Sequence, residues 1–261
     1  MSAFGSLRHV HLIRTLAARE LTLRYRGSML GFAWALITPV ATVVLLTFVF
    51  GHVLGVRWPG APNDAYPVYL FSGLIVNGFI AESIVRSPSL VVNHPNYVHK
   101  TPFPLQILAC VMTCELLLPL VIGALIVPVL ALWFGLHLHT TLLLVPLVLL
   151  PLVFLGVGIG WFLAALGVYL RDLGHTTTLI TTGLLLFSPV LYPLSSAPAA
   201  IRPFYYANPV TLIVENFRAV ALLGDIPTAA ALVIPLASSV LVAWLAYWTF
   251  DRLRDGFADV L

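Results

Sequence analysis

From Leu116 to Leu170 the chain carries no Asp, Glu, Lys or Arg. No water-soluble domain tolerates such a run, because about 18 consecutive apolar residues already read as a membrane span. It is too long for one helix, and Gly135-Leu136-His137-Leu138-His139-Thr140 supplies the break between two. A second uncharged run extends from Gly27 to Val56, directly after Arg24-Tyr25-Arg26. A cationic collar followed by an apolar run marks a helix entering a bilayer from its cytoplasmic face, since charge is expensive in hydrocarbon. Composition agrees, with 60% hydrophobic and 9% charged residues in 261, against about 25% charged in soluble domains. The net charge of +3 does not indicate nucleic acid, because the basic residues sit at the ends of apolar runs.

These patterns predict an all-α polytopic membrane protein with six transmembrane helices, forming one domain over residues 1–261. An amphipathic helix over 7–26 lies at the interface, with Val10, Ile13, Ala17 and Leu21 on one stripe and Arg8, Arg19 and Arg26 opposite. It reads either as a basic anchor on anionic lipid or as a cuff that also receives a partner protein. Spans are expected at 30–50, 66–84, 105–134, 142–169, 176–194 and 229–250. Glu82 and Arg86 have the i,i+4 order that favours pairing with each other. Gly156, Gly160 and Ala164 form a small-residue face of the kind that lets membrane helices approach closely.

Two polar segments interrupt the spans. Residues 87–104 form the longest break in the first half and are expected to face the cytoplasm. Residues 195–228 contain an Asn208-Pro209 helix start and then a run to Leu223 that holds Glu215 and Arg218. That run is too short and too charged to face lipid. With both termini cytoplasmic, only Arg57, Arg202 and Arg218 lie outside, which obeys the positive-inside rule. A crossing at 210–223 would place the C-terminal arginines outside. The segment is therefore expected to dip in and return as re-entrant outer-face helices before the last span.

Little in the chain suggests chemistry of its own. The only lysine, Lys100, follows His99 rather than the glycine of a phosphate-binding loop, and no GxGxxG or HExxH occurs. Cys110 and Cys114 read as packing residues, and His137 and His139 as surface histidines. Glu82 and Glu115 are expected near different ends of their spans, which argues against a catalytic dyad. Glu115 is the sole candidate for ion coupling, and a structural partner is the plainer reading. No cleavable signal peptide is expected. Energy for any transport must then come from another chain.

Arg24-Tyr25-Arg26-Gly27-Ser28-x-Leu30-Gly31-x-x-Trp34, followed by Pro39, resembles the start of the first span in type-2 ABC exporter permeases for polysaccharides. Those are the permeases for O-antigen, teichoic acid and capsule chains. Lys100-x-Pro102-Phe103-Pro104 resembles the end of that family's first cytoplasmic loop, and Tyr169-Leu170-Arg171-Asp172-Leu173 its second. Ser188-Pro189-Val190-Leu191-Tyr192-Pro193, Asn208-Pro209 and Phe217-Arg218 are similar to its outer-face segment, and Phe257-Ala258-Asp259 to its C-terminus. The match is collinear over essentially the whole chain.

The resemblance implies a homodimer in the inner (plasma) membrane with two copies of a separate ABC ATPase. It has no cofactor in this chain, and ATP and Mg belong to the partner. The cargo would be an undecaprenyl-linked glycan. By the same resemblance, Asn93, His94, Asn96, Tyr97, Lys100, Arg171 and Asp172 would couple to the ATPase. Arg24, Tyr25 and Arg26 would meet the lipid diphosphate. Trp34, Phe71, Tyr192, Tyr205, Tyr206, Asn208, Glu215 and Arg218 would belong to the conduit and its gate. The capsule branch usually lacks the Arg-Tyr-Arg-x-Ser form, which points to O-antigen-like or teichoic-like glycans. The alternatives are a drug or small-lipid exporter of the same fold and a membrane-bound enzyme of lipid-linked sugar metabolism. The enzyme would need acidic metal-binding pairs at a cytoplasmic loop, which the sequence lacks.

Overall fold

Backbone N–H and C=O groups in hydrocarbon find no water, so a chain this apolar must satisfy them within helices. The computed structural model describes residues 3–25, 31–59, 61–62, 65–99 and 103–260, and every regular element among them is helical. The α-helices are α1 Ala3–Tyr25, α2 Trp34–Leu46, α3 Tyr66–Arg86, α4 Ser89–Val92, α5 Pro95–His99 and α6 Ile107–Trp133. They continue as α7 Val145–Tyr169, α8 Leu173–Leu186, α9 Arg202–Ala207, α10 Pro209–Arg218, α11 Ala229–Leu253 and α12 Phe257–Val260.

Among the described residues, four stretches are long and apolar enough to cross a membrane: Tyr66–Arg86, Ile107–Trp133, Thr140–Tyr169 and Ala229–Val260. The other two expected spans are less regular. α2 passes at Thr47 into a π-helical turn ending at Val53. α8 has 14 residues, a rise of about 21 Å against a hydrocarbon core of about 30 Å. The apolar run continues past α8, but Pro189 and Pro193 lack the N–H that further helix would need, and residues 187–193 form an irregular turn.

α3 is the central element. Its buried residues run from Tyr66 to Ile84, and α2, α6, α7, α8 and α10 all pack on it. α7 supplies the close approaches. A Cβ at Gly156 would press on Phe79 and Thr113, and one at Gly160 on Ala109 of α6. On another side of α7, Gly158 would bring its Cβ within 3.0 Å of the Ala243 Cα in α11. The small residues therefore let α7 seat against three helices at once.

α1 docks on α6 through Ala17, with Leu12, Ile13 and Leu16 beside it, against Ile107 and Val111. The apolar stripe is thus shorter than the one from Val10 to Leu21, and Val10 itself is 62% exposed. A helix crossing another obliquely touches it over about two turns, so residues outside those turns fall away from the contact.

Glu82 and Arg86 do not pair with each other. Arg24 of α1 reaches Glu82 at 2.5 Å, and Arg86 reaches Glu115 of α6 at 2.5 Å. α1 and α6 bring opposite charges to α3 from different chain segments, and these interhelical pairs replace the local one. Glu82 and Glu115 also gather at the same end of the bundle. The C-terminal turns of α3 lie beside the N-terminal turns of α6, so ends that are opposite along the chain are adjacent in space. Glu115 is 2% exposed, and Arg86 is its structural partner.

Candidate functional site

Two assemblies hold most of the described residues of the loop, outer-face and C-terminal motifs, one at each end of α3. Tyr69 and Arg86 mark them, roughly 25 Å apart at 1.5 Å per residue.

At the C-terminal end of α3 the chain turns through Ser87 and Pro88 into α4. Gly167 of α7 lies so close to the Pro88 carbonyl that a Cβ there would overlap it. Val91 is fully buried in a cluster with Leu108, Ala164, Ala165, Val168, Phe250 and Phe257. His94 stacks on Tyr97 with ring centroids 5.3 Å apart, and Tyr97 stacks on Phe103 at 4.3 Å. Phe257 of α12 inserts between Phe250 and Tyr169, and the Tyr169 hydroxyl donates to the Leu253 carbonyl at 2.8 Å. Three motifs distant in sequence (the loop after α3, the end of α7 and the C-terminal Phe257-Ala258-Asp259) therefore form one platform. Its anchors point inward, whereas Asn93, Asn96, Arg171 and Asp172 are exposed. Lys100 lies outside the described residues, as does Arg26, and nothing is described of the Tyr25 side chain. Arg24 is engaged by Glu82.

At the N-terminal end of α3 the organiser is Arg218. It is 1% exposed, and a buried guanidinium is tolerated only when its charge and its donors are met. Nε donates to Ser72 Oγ at 3.1 Å. Nη1 donates to the Pro189 carbonyl at 2.5 Å and to Glu215 Oε1 at 2.9 Å. Nη2 donates to the carbonyls of Tyr69 at 2.9 Å and Val190 at 3.4 Å. These acceptors match the N–H groups that an arginine has. The Trp58 ring covers the guanidinium at 4.2 Å and stacks on Tyr69. Gly73 leaves the required space, since a Cβ there would come within 2.8 Å of Nη2 and 3.1 Å of the Val190 Cα.

The turn after α8 is fastened by its other polar groups as well. Tyr66 donates to the Leu191 carbonyl at 2.7 Å. The Tyr192 and Tyr205 hydroxyls bond each other, and Tyr192 also donates to the Leu186 carbonyl at 2.6 Å. Asn208 caps α10 by accepting from the Val210 N–H at 3.0 Å, and its amide donates to Ser188 Oγ at 2.9 Å. Of the remaining conduit candidates, Phe71 is buried, Trp34 and Tyr206 are exposed, and Glu215 is half-buried beside Arg218. Ser72, Gly73, Tyr69 and Trp58 were not singled out in the sequence. A buried arginine's acceptors are mostly backbone carbonyls, which leave no side-chain signature.

Among the described residues no group of His, Cys, Asp or Glu is placed to hold a metal ion. The chain is thus a helical bundle with a loop platform at one end of its central helix and an arginine-clasped turn at the other. The chain belongs to the ABC-2 type transporter family, whose model matches residues 11–222. It is 28% identical to the O-antigen export system permease protein RfbA of Myxococcus xanthus over 250 residues, covering 95% of this chain and 94% of that one. A Klebsiella pneumoniae protein of the same name is 23% identical, covering 96% and 95%. The polysialic acid transport protein KpsM of Escherichia coli is 25% identical, covering 94% and 91%.

Proposed function

We propose that this chain is the membrane-spanning permease subunit of an ATP-driven exporter that moves lipid-linked, O-antigen-like polysaccharide out of the cytoplasm. The carrying observation is its collinear similarity, over nearly the full length of both chains, to a protein named an O-antigen export permease. In this reading two copies assemble in the inner membrane with two separate ABC ATPase subunits, which bind ATP and Mg. Both termini face the cytoplasm. α2 with its π-helical turn and α8 complete a set of six spans, while α9 and α10 form the re-entrant segment. The cargo is an undecaprenyl-linked glycan whose diphosphate meets the basic end of α1.

The geometry supports this division of labour. The platform exposes Asn93 and Asn96 while Val91, Tyr97 and Phe257 hold it to α7 and α11. A partner pushing on the exposed tips thus pushes on spans and not on a loose loop. The α10 segment is charged but covered by protein on several sides, as a helix that enters and leaves a membrane on one face must be.

The experiment is co-reconstitution with a partner ABC ATPase subunit in liposomes. The pair should hydrolyse ATP faster in the presence of lipid-linked O-antigen, and Asn93→Arg with Asn96→Arg should remove the stimulation. ATP hydrolysis by the permease alone, or equal stimulation by a small amphipathic drug, would contradict the proposal.

A further inference from the structure

The end of α11 carries one positive charge that its neighbours leave over. Arg254 takes both nearby acids, Asp251 at 3.1 Å and Asp255 at 3.5 Å. Arg252, two residues earlier, has no carboxylate and no hydrogen-bond acceptor among the described residues. Its guanidinium lies instead over the Trp248 ring, 3.9 Å from the centroid. A ring face attracts the cation but supplies no lone pair to its five N–H donors. The charge is thus held in place while its donors stay open.

The side of α11 that carries this charge faces away from the protein. At about 100° per residue, Leu241, Trp244, Leu245, Trp248 and Arg252 share one stripe, and all five are exposed. The residues that pack inward, Ala243, Ala246 and Phe250, lie on the opposite side. Trp248 is roughly 6 Å and Trp244 roughly 12 Å along the axis from Arg252, a depth that runs from the headgroup layer into the hydrocarbon. Neither indole N–H has a hydrogen-bond partner among the described residues.

We propose that this stripe is a binding site for a glycerophospholipid of net negative charge, with its phosphate on Arg252, an ester carbonyl on Trp248 Nε1 and an acyl chain along Trp244 and Leu241. Each donor meets an acceptor. The guanidinium donates to phosphate oxygens, and the indole N–H donates to the carbonyl below them. Net charge decides the class of lipid. The phosphate of a zwitterionic lipid brings its own ammonium, and the acids that could receive it are held by Arg254. A polyprenyl phosphate has no ester carbonyl for the indole. Free phosphate would leave the apolar stripe uncovered. The inference needs the chain to sit in a bilayer but does not depend on the glycan reading.

Native mass spectrometry of the detergent-purified permease tests it, with dioleoyl-phosphatidylglycerol, dioleoyl-phosphatidylethanolamine and undecaprenyl phosphate titrated separately. Phosphatidylglycerol should bind about fivefold more tightly than the zwitterionic lipid, the factor that one arginine near a membrane surface contributes. Arg252→Gln should erase that preference. Trp248→Leu keeps the charge but removes the ring beneath it, and should weaken phosphatidylglycerol by about twofold to fivefold. Both substitutions fall on the exposed side of α11, so the thermal midpoint without lipid should stay near that of the unmodified chain. Equal binding of the two phospholipids, tighter binding of undecaprenyl phosphate, a preference that survives Arg252→Gln, or full retention in Trp248→Leu overturns the site. Dissociation of the assembly in Trp248→Leu also overturns it, because a second copy of the chain would then cover the stripe. If Arg252→Gln does not fold, retention in Trp248→Leu decides alone.

Discussion

Replacing Arg218 by alanine removes the group that joins α3, α10 and the turn after α8. The Tyr69 carbonyl keeps the Ser72 hydroxyl as a donor, so it is not orphaned. The Pro189 and Val190 carbonyls lose Arg218, and they lie in an irregular turn. At about 1–3 kcal/mol for each unsatisfied buried group, the two carbonyls put the loss at about 2–6 kcal/mol. For a chain of this size that lowers the unfolding midpoint by on the order of 10 °C. Lysine offers fewer donors and no fork, so Arg218→Lys should recover less than half of the loss. Glu215 is 41% exposed, and Glu215→Gln should cost under about 1 kcal/mol. The assay is size-exclusion chromatography of detergent-solubilised protein after a temperature ramp. The reasoning fails if Glu215→Gln is as damaging as Arg218→Ala, because the ion pair and not the carbonyl cradle would then hold the turn.

Glu115→Ala should destabilise by about 3 kcal/mol, since the Arg86 Nη1 has no partner among the described residues, and adding Arg86→Met should restore part of the loss in the same thermal assay. Tyr192→Phe and Tyr205→Phe should each cost about 1 kcal/mol, and the double variant less than the sum, as a double-mutant cycle on midpoints would show. Gly158→Val should separate α7 from α11, and cysteine crosslinking between those helices should fall.

The apolar runs were legible because hydrocarbon imposes one rule on every residue it touches. Charged partners were not. Glu82 and Arg86 have the right spacing to pair, but Arg24 and Glu115 compete for them, and neither is near in the chain. Arg218 is placed by the sequence on the outer-face segment and, by the resemblance, in the conduit and its gate, with no sign of what it bonds. Its partner Ser72 is 146 residues away, and most of its other acceptors are backbone atoms. The end of α8 was misjudged for a related reason. Apolar residues continue through Leu191, so composition extended the span, while the prolines and the pull of Arg218 on two carbonyls bend the chain instead. The C-terminal Phe257 carried no apolar run to mark it, yet it is fully buried beneath the platform.

The proposed division of labour makes a mechanical demand that α3 is suited to meet. Its last turn leads without a gap into Ser87 and Pro88, and its first turns hold the Arg218 clasp through Tyr69 and Ser72. No proline interrupts it beyond its first turn. Helices of this length bend gently and kink only at identifiable defects, so displacement at one end reaches the other as a rigid shift. The clasp then either moves with α3, dragging the turn after α8, or breaks. Breaking it would leave a buried guanidinium unpaired, which is the costlier outcome. Tyr66→Phe, which removes the hydrogen bond from α3 to the Leu191 carbonyl of the turn and leaves Gly73 and Arg218 untouched, separates the two cases. Slower transport means the clasp travels as one body, whereas faster transport means it must open.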